Sequence, residues 1–525
     1  MKSIDQKLRK AHALHHQGDL STAATLYKEI LLVQPDNFDS LHLLGLIAHK
    51  EGNYTSAVSL ISQAIEIHPS NANFYSNLGI SLFALDEIQA SLHCYEVAIT
   101  LEPEFAMAYN NRANALKKQK RYSESSFNFY WAIDLNANYA EAYNNLGVLL
   151  REIKRPEAAL VHYDRAIGLN NQFSEAFYNR ANAFWDLNQL DQAIENYKKA
   201  IQLNRHHANA YFNKSITLLL KGLFEEGWDL YDWRWKSDEF DSPFLVTHRP
   251  LWDGDKNQVV LLWTEQGIGD EFMFLSLINE FKTLCKKLIV QVDNRSMPLV
   301  SRSIFAGITF IPKTLTVDPM EYDAHLPLAS LGKYLRRTKA CFKLNPIRYL
   351  IDEKQRTSNI RSQIQAVAGV GKKICGISWR SKNEKNGQER SFTLSDLIEQ
   401  LSLKNYQLVN LQYGDVQEEI EVAQQLTGQS VLSVSSVDNF YDMDGLASLI
   451  MACDVVVSAD NTTVHLAGAL GQDVRILLPF KCDWRWMLER QDSLWYPTVR
   501  LYRQDEKKQW EEVLNTLRAD LLNER

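Results

Sequence analysis

Two short stretches hold the residues whose types and spacing could do chemistry: Gly267-Ile268-Gly269-Asp270 and Ser458-Ala459-Asp460-Asn461-Thr462-Thr463-Val464-His465. In the second, an apolar run closes at Ser458 and a helix is expected from about Thr462. Free backbone N–H groups and the helix dipole at that start would attract a diphosphate, with Thr462, Thr463 and His465 as side-chain donors. The alternative is a capped helix with a satisfied histidine. Asp270 begins a helix after a glycine turn, where a carboxylate can cap the helix or take a proton from an alcohol. Glu265 is the neighbouring alternative base. Arg380 and Lys382 follow directly on the apolar run ending at Trp379 and could stabilise a departing diphosphate, as could Arg390 past a polar loop. Glu384 and Glu389 in that loop favour the alternative of a solvated segment. Gln412, just after another apolar run, could contact a base or ribose.

Short strands must hold these turns. Val259-Val260-Leu261-Leu262-Trp263 is a strand leading into the Asp270 turn, and helical spacing then resumes through Phe272, Leu275 and Ile278. Strand, glycine turn and helix open a nucleotide-binding βα unit. Further strands are expected at 288–292 and 308–311. A polar stretch near 352–372 forms a helix and linker. A second series of strands is expected at 374–379, 407–411, 455–458 and 474–478. Open α/β sheets place ligands at such strand ends.

The first 235 residues are a 34-residue repeat. Tyr75, Tyr109, Tyr143, Phe177 and Tyr211 stand 34 apart, as do Ala64, Ala98, Ala132, Ala166 and Ala200. The period, with small residues and aromatic anchors, is the tetratricopeptide signature of paired antiparallel helices. Phased on Pro35, Pro69 and Pro103, about seven units begin near residues 4, 38, 72, 106, 140, 174 and 208. The tryptophan-rich end of the last unit, 226–235, is expected to dock on the next domain. Asn77, Asn111, Asn145, Asn179 and Asn213 form a column on the first helix of each unit, although asparagine is a poor mid-helix residue. They are either a stacking ladder that fixes repeat geometry or a line of amides offered to a peptide backbone.

That column resembles the asparagine ladder of O-GlcNAc transferase, whose repeats hold acceptor polypeptides; the likeness covers the repeats only. In the second half, Asp460 and His465 match in spacing the Asp-Thr-Gly-x-x-His donor turn of the ADP-heptose heptosyltransferases, with Asn461 and Thr462 in place of Thr-Gly. Gly269-Asp270 matches the Gly-Asp of the same enzymes, where the aspartate deprotonates the acceptor hydroxyl. The resemblance implies an all-α superhelix over 1–236, then two Rossmann-like domains of GT-B type, an acceptor-side one over 250–350 and a donor-binding one over 372–525. It further implies an inverting glycosyltransferase that uses a nucleotide-sugar donor, needs no metal or other cofactor, and modifies a Ser or Thr hydroxyl of a protein held by the repeats. Two alternatives stand beside it: a non-catalytic repeat scaffold with a degenerate transferase half, and a transferase acting on lipopolysaccharide or another glycan. Asp442-Met443-Asp444 reads as helix capping rather than a metal pair.

The composition fits an ordinary folded chain of 525 residues, with 45% hydrophobic and 23% charged residues. A formal charge of -7 and the lack of a basic patch argue against a nucleic-acid partner. Six scattered cysteines without a Cys-x-x-Cys pair indicate neither a disulfide framework nor a zinc site. The N-terminus lacks a signal-peptide core, and no apolar run reaches the roughly 18 residues of a membrane span. A cytoplasmic location is expected.

Overall fold

The computed structural model describes residues 2–369, 371–381, 387–506 and 509–523. The chain divides into two compact units, Met1–Arg205 and His206–Arg525. The repeat sequence runs about 30 residues past that division, so the seventh helical pair belongs by its contacts to the second unit.

The first unit is a stack of six antiparallel helix pairs. After the pair Lys2–His16 and Leu20–Val33, the first helices of successive pairs begin at Phe38, Ala72, Ala106, Ala140 and Ser174. The alanine column 64, 98, 132, 166 and 200 is fully buried, together with Tyr95, Phe129, Tyr163 and Tyr197. Small residues are needed because the aromatic rings lie directly on the neighbouring helix. A Cβ at Gly79 would sit 2.5 Å from the Tyr95 ring, and one at Gly147 would sit 2.5 Å from Tyr163.

The second unit opens with the pair Ala208–Lys221 and Phe224–Tyr231 and a 3-10 turn, Asp232–Lys236. Next comes a four-stranded parallel sheet: β1 (Val259–Trp263), β2 (Lys287–Val292), β3 (Ile308–Pro312) and β4 (Ala324–Pro327), in the order β3-β2-β1-β4. The helix Lys354–Ala368 leads to a six-stranded parallel sheet. Its strands are β5 (Lys373–Ser378), β6 (Tyr406–Asn410), β7 (Val431–Leu432), β8 (Val455–Ala459), β9 (Val474–Leu478) and β10 (Val499–Arg503), in the order β10-β9-β8-β5-β6-β7.

The aromatic end of the repeats packs against this α/β region. Trp228 is fully buried, donates its indole N–H to the Arg336 carbonyl at 2.9 Å, and meets Trp484 edge-on at 5.4 Å. Arg234 is also fully buried, where it pairs with Glu265 at 3.1 Å and donates to Ser330 Oγ at 2.9 Å. All six cysteines are free. Among the described residues no helix is long and apolar enough to cross a membrane.

Candidate functional site

Each sheet reverses its strand order at one point, between β1 and β4 in the first and between β5 and β8 in the second. Crevices at such switch points are where open α/β sheets bind ligands, because adjacent loops diverge there. Both chemical turns of the sequence leave the sheets at these points. The Asp270 turn comes after β1 and starts the helix Ile268–Leu275; the Asp460 turn comes after β8 and starts the helix Thr462–Ala469. The two helix starts meet at Gly269, where a Cβ would lie 3.0 Å from the His465 ring and 3.6 Å from Thr462 Cα. Asp270 and His465, 195 positions apart in the sequence, therefore share one site.

A row of alternating charges crosses it. Asp270 pairs with Arg485. Arg485 also bonds Asp483 at 2.6 Å and the Gln266 side-chain oxygen at 2.9 Å, with its guanidinium over the Trp484 ring. Arg390 stands 3.8 Å from Asp483 and 2.9 Å from Asp460. Asp460 also accepts from the Trp486 indole at 2.9 Å. Burial pushes the Asp460 carboxyl above its ordinary range, opposed by Arg390. Burial acts the same way on Asp483, but Arg485 and Arg390 outweigh it and hold that carboxyl low. The five charges, Asp460, Arg390, Asp483, Arg485 and Asp270, sum to one negative.

His465 is enclosed. Burial lowers its pKa to about 4, with Asp270 opposing, so the ring is neutral near pH 7. Its Nδ1 is 2.9 Å from the Tyr496 hydroxyl, and the ring stacks on Trp486. Asn461 caps the helix by accepting the Thr463 N–H at 2.9 Å, and its amide donates to Ser378 Oγ at 2.8 Å and the Arg380 carbonyl at 3.0 Å. Thr463 is buried, whereas Thr462 is partly exposed at the helix start.

The remaining residues singled out from the sequence hold the frame around this core. The Gln412 side-chain oxygen accepts from Ser378 Oγ, Trp379 N and Arg380 N, at 3.1, 2.9 and 2.9 Å, which fixes the end of β5. The Arg380 guanidinium pairs with Glu419 at 2.9 Å and donates to the Asp415 carbonyl. Lys382 lies outside the described residues. Glu265 pairs with Arg234 and accepts the Ala329 N–H, both at Oε1. Asp442 caps the helix Met443–Ala452 and pairs with Arg356, while Asp444 pairs with Arg302. Among the described residues no group of three or more His, Cys, Asp or Glu side chains is placed to hold a metal.

In the first unit, the asparagine column is joined to a second column one residue earlier. Asn179 donates to Asn144 at 3.0 Å, Asn144 to Asn145 at 3.4 Å, Asn145 to Asn110 at 3.1 Å and Asn110 to Asn111 at 3.3 Å. Asn77 bonds His42 at 2.9 Å. Asn213, in the second unit, donates to Glu239 at 3.4 Å.

Asp483 and Arg485, in the run Asp483-Trp484-Arg485-Trp486, are not among the candidate residues drawn from the sequence. The available signal was that polar residues alternate with tryptophans in that run, which a pure packing segment does not require.

Tetratricopeptide repeats occupy the N-terminal region: two tetratricopeptide-repeat family profiles match, one at residues 140–173 and 174–207 and one at 8–72. The chain is similar to Protein FlbA of Caulobacter vibrioides, 26% identical over 325 residues, covering 59% of this chain and 54% of that protein. The chain therefore spans about half the length of the curated relative it matches. Similar solved structures include YrrB, a TPR protein with an unusual peptide-binding site (25% identity, 33% of this chain, 89% of that chain, TM-score 0.28). PilF of Pseudomonas aeruginosa is another (22% identity, 38% of this chain, 89% of that chain, TM-score 0.33).

Proposed function

We propose that the second unit is a glycosyltransferase of GT-B plan that moves a sugar from a nucleotide-sugar donor to a hydroxyl of a protein held by the repeats. The observation that carries this reading is the meeting of the Asp270 and His465 helix starts at two sheet switch points. In the proposed reaction Asp270 takes the proton of the acceptor hydroxyl as its oxygen attacks the anomeric carbon. The bond from that carbon to the nucleoside diphosphate breaks, and the diphosphate leaves with the electron pair. The N–H groups at the start of the His465 helix, Thr462 and the neighbouring cations would stabilise its charge. Asp270 has one oxygen toward Arg485 and a side chain 22% exposed, so it can still reach an acceptor.

The test is calorimetric titration with a panel of nucleotide sugars, comparing wild type, Thr462→Val, His465→Ala and Asp270→Asn. Saturable binding of one donor, weakened about tenfold or more by Thr462→Val, supports the reading. Asp270→Asn should keep that binding and lose at least about a hundredfold in transfer. The scaffold alternative has one observation in its favour: Arg380, Gln412 and Glu265 are all engaged by internal partners. Folded protein that binds no donor across the panel would establish that alternative.

A further inference from the structure

The amide relay of the first unit has an end. It runs from Asn179 through Asn144, Asn145 and Asn110 to Asn111, whose own amide nitrogen is buried without a partner. Asn111 lines a cleft of about 500 Å³ on the third to fifth repeats. Ile80, Phe83 and Tyr95 form its apolar wall, and its charged lining is Lys117, Lys118 and Lys120 against the single carboxylate of Glu152.

Lys117 is open for a reason visible one repeat further along. Arg151 occupies the equivalent position there and pairs with Asp186, 35 residues later, at 2.6 Å. The same register would pair Lys117 with Glu152. Glu152 instead accepts from the Tyr122 hydroxyl at 2.9 Å and acts on Lys117 only from beyond contact distance. Among the described residues Lys117 has no ion-pair or hydrogen-bond partner. Its neighbour Lys118 is already paired with Asp86. A largely buried ammonium whose nearby counter-charge, Glu152, stays beyond contact distance is costly, and desolvation lowers its pKa with Glu152 opposing. An unpaired N–H donor and an unpaired cation beside an apolar wall call for an anion attached to something apolar.

We infer that this cleft is a subsite for a polypeptide segment in which an apolar side chain lies next to an Asp or Glu carboxylate. The carboxylate meets Lys117 and the Asn111 amide, and the apolar group lies against Phe83 and Tyr95. Repeats continue on both sides of the cleft within the first unit. A segment passing through, rather than a chain terminus, is therefore the occupant. The inference rests on the repeats holding a polypeptide and not on sugar transfer, so its test involves no nucleotide sugar.

The test is fluorescence-polarisation binding of the full chain to 15-residue peptides, acetylated and amidated, in a Gly/Ser frame. One peptide carries Leu-Glu at its centre and the other Leu-Gln. The acidic peptide should bind about tenfold more tightly, as expected for a charge-assisted contact. Lys117→Met should erase the difference, while Lys199→Met, at a residue exposed on the helix Leu190–Leu203 and away from the cleft lining, should leave it intact. Circular dichroism checks that both variants are folded. Equal affinity for the two peptides, or a preference that survives Lys117→Met, overturns the proposal. Tighter binding of a third peptide, ending in Leu with a free C-terminal carboxylate and no acidic side chain, overturns the assignment to an internal segment.

Discussion

Asp270 and Arg485 form an ion pair that ties the turn after the first strand of one sheet to the turn after the penultimate strand of the other. The pair is mostly enclosed: the arginine side chain is 10% exposed and the aspartate 22%. The same guanidinium holds Asp483 and Gln266, and Gln266 donates to the Tyr231 hydroxyl of the last repeat helix at 2.7 Å. One arginine thus connects the candidate base, both sheets and the repeat hairpin packed beside them.

Removing that arginine should leave the Asp270 carboxylate without its cation and Asp483 with only Arg390, 3.8 Å away. Arg485→Met is expected to destabilise the second unit by about 3 kcal/mol, because breaking a buried pair costs more than the pair itself contributes. Arg485→Lys should recover only part of this, since an ammonium cannot reproduce the two-pronged guanidinium contact. Asp270→Asn should cost less than Arg485→Met, because a neutral amide leaves the arginine its other partners. Urea unfolding followed by tryptophan fluorescence gives the three values. Equal midpoints for wild type and Arg485→Met would show that the pair contributes no net stability.

A glycine beside Trp228 offers a steric test of how the last repeat is seated. A Cβ at Gly332 would lie 2.2 Å from the Trp228 ring. That ring cannot retreat, being fully buried, hydrogen-bonded to the Arg336 carbonyl and packed on Trp484. Gly332→Ala is expected to cost about 1–3 kcal/mol or more through overpacking, with a shift in tryptophan emission. Gly267→Ala is the control: nothing lies within 4 Å of its Cβ position, and its φ of -69° suits any residue. It should stay within about 1 kcal/mol of wild type.

The repeats and most strands were legible because each is a local pattern. The helix starts at Phe38, Ala72, Ala106, Ala140, Ser174 and Ala208 fall on the sequence phase, and seven apolar runs became β1, β2, β3, β5, β6, β8 and β9. Three strands were not anticipated. β4 is four residues that include a buried His325 and end in Pro327; β7 is two residues long; β10 is an edge strand interrupted by the exposed Arg500. None shows an apolar run. The turns carrying Asp270 and His465 were legible by residue type. Their common frame was not, because Arg485 finds Gln266 across 219 residues and no local period encodes such a contact. Gln412 and Arg380 were found by position at strand ends, and position alone did not reveal that a side chain there would serve its own backbone.

Glu271 is expected to give the second unit a pH dependence. It is buried beside the candidate base, accepts the Asp293 N–H at 2.7 Å, and has Asp293 and Lys313 as nearby charges. Burial raises its pKa to about 7, with the nearby Ser296 hydroxyl and the hydrogen bond from the Asp293 N–H opposing. From its ordinary value up to about 7 the native state keeps a proton that the unfolded chain releases. Stability therefore falls as pH rises through that window, by roughly 3 kcal/mol in all. His465, lowered to about 4, contributes the opposite slope below its ordinary value. The difference between variant and wild type isolates Glu271. Glu271→Gln should gain stability relative to wild type between pH 5 and pH 8 in urea unfolding, and a constant difference across that range would refute the assignment.

The asparagine columns allow a comparison in which helix propensity cancels. Asn144 is buried and accepts the amide of Asn179, itself buried, at 3.0 Å. Asn144→Ala leaves that donor without a partner, and an unsatisfied buried donor costs about 1–3 kcal/mol. Asn111 stands at the end of the relay, with its own amide nitrogen unpaired and only a 3.3 Å contact from Asn110 to lose. Asn111→Ala should therefore cost less than Asn144→Ala, although both replace a mid-helix asparagine by the same better helix former. Thermal unfolding followed at 222 nm ranks the two. If they destabilise equally, the relay does not carry the stability of the stack. If Asn144→Ala is the more costly and Asn111→Ala instead weakens binding of the Leu-Glu peptide, one column serves both purposes, geometry in its interior and recognition at its open end.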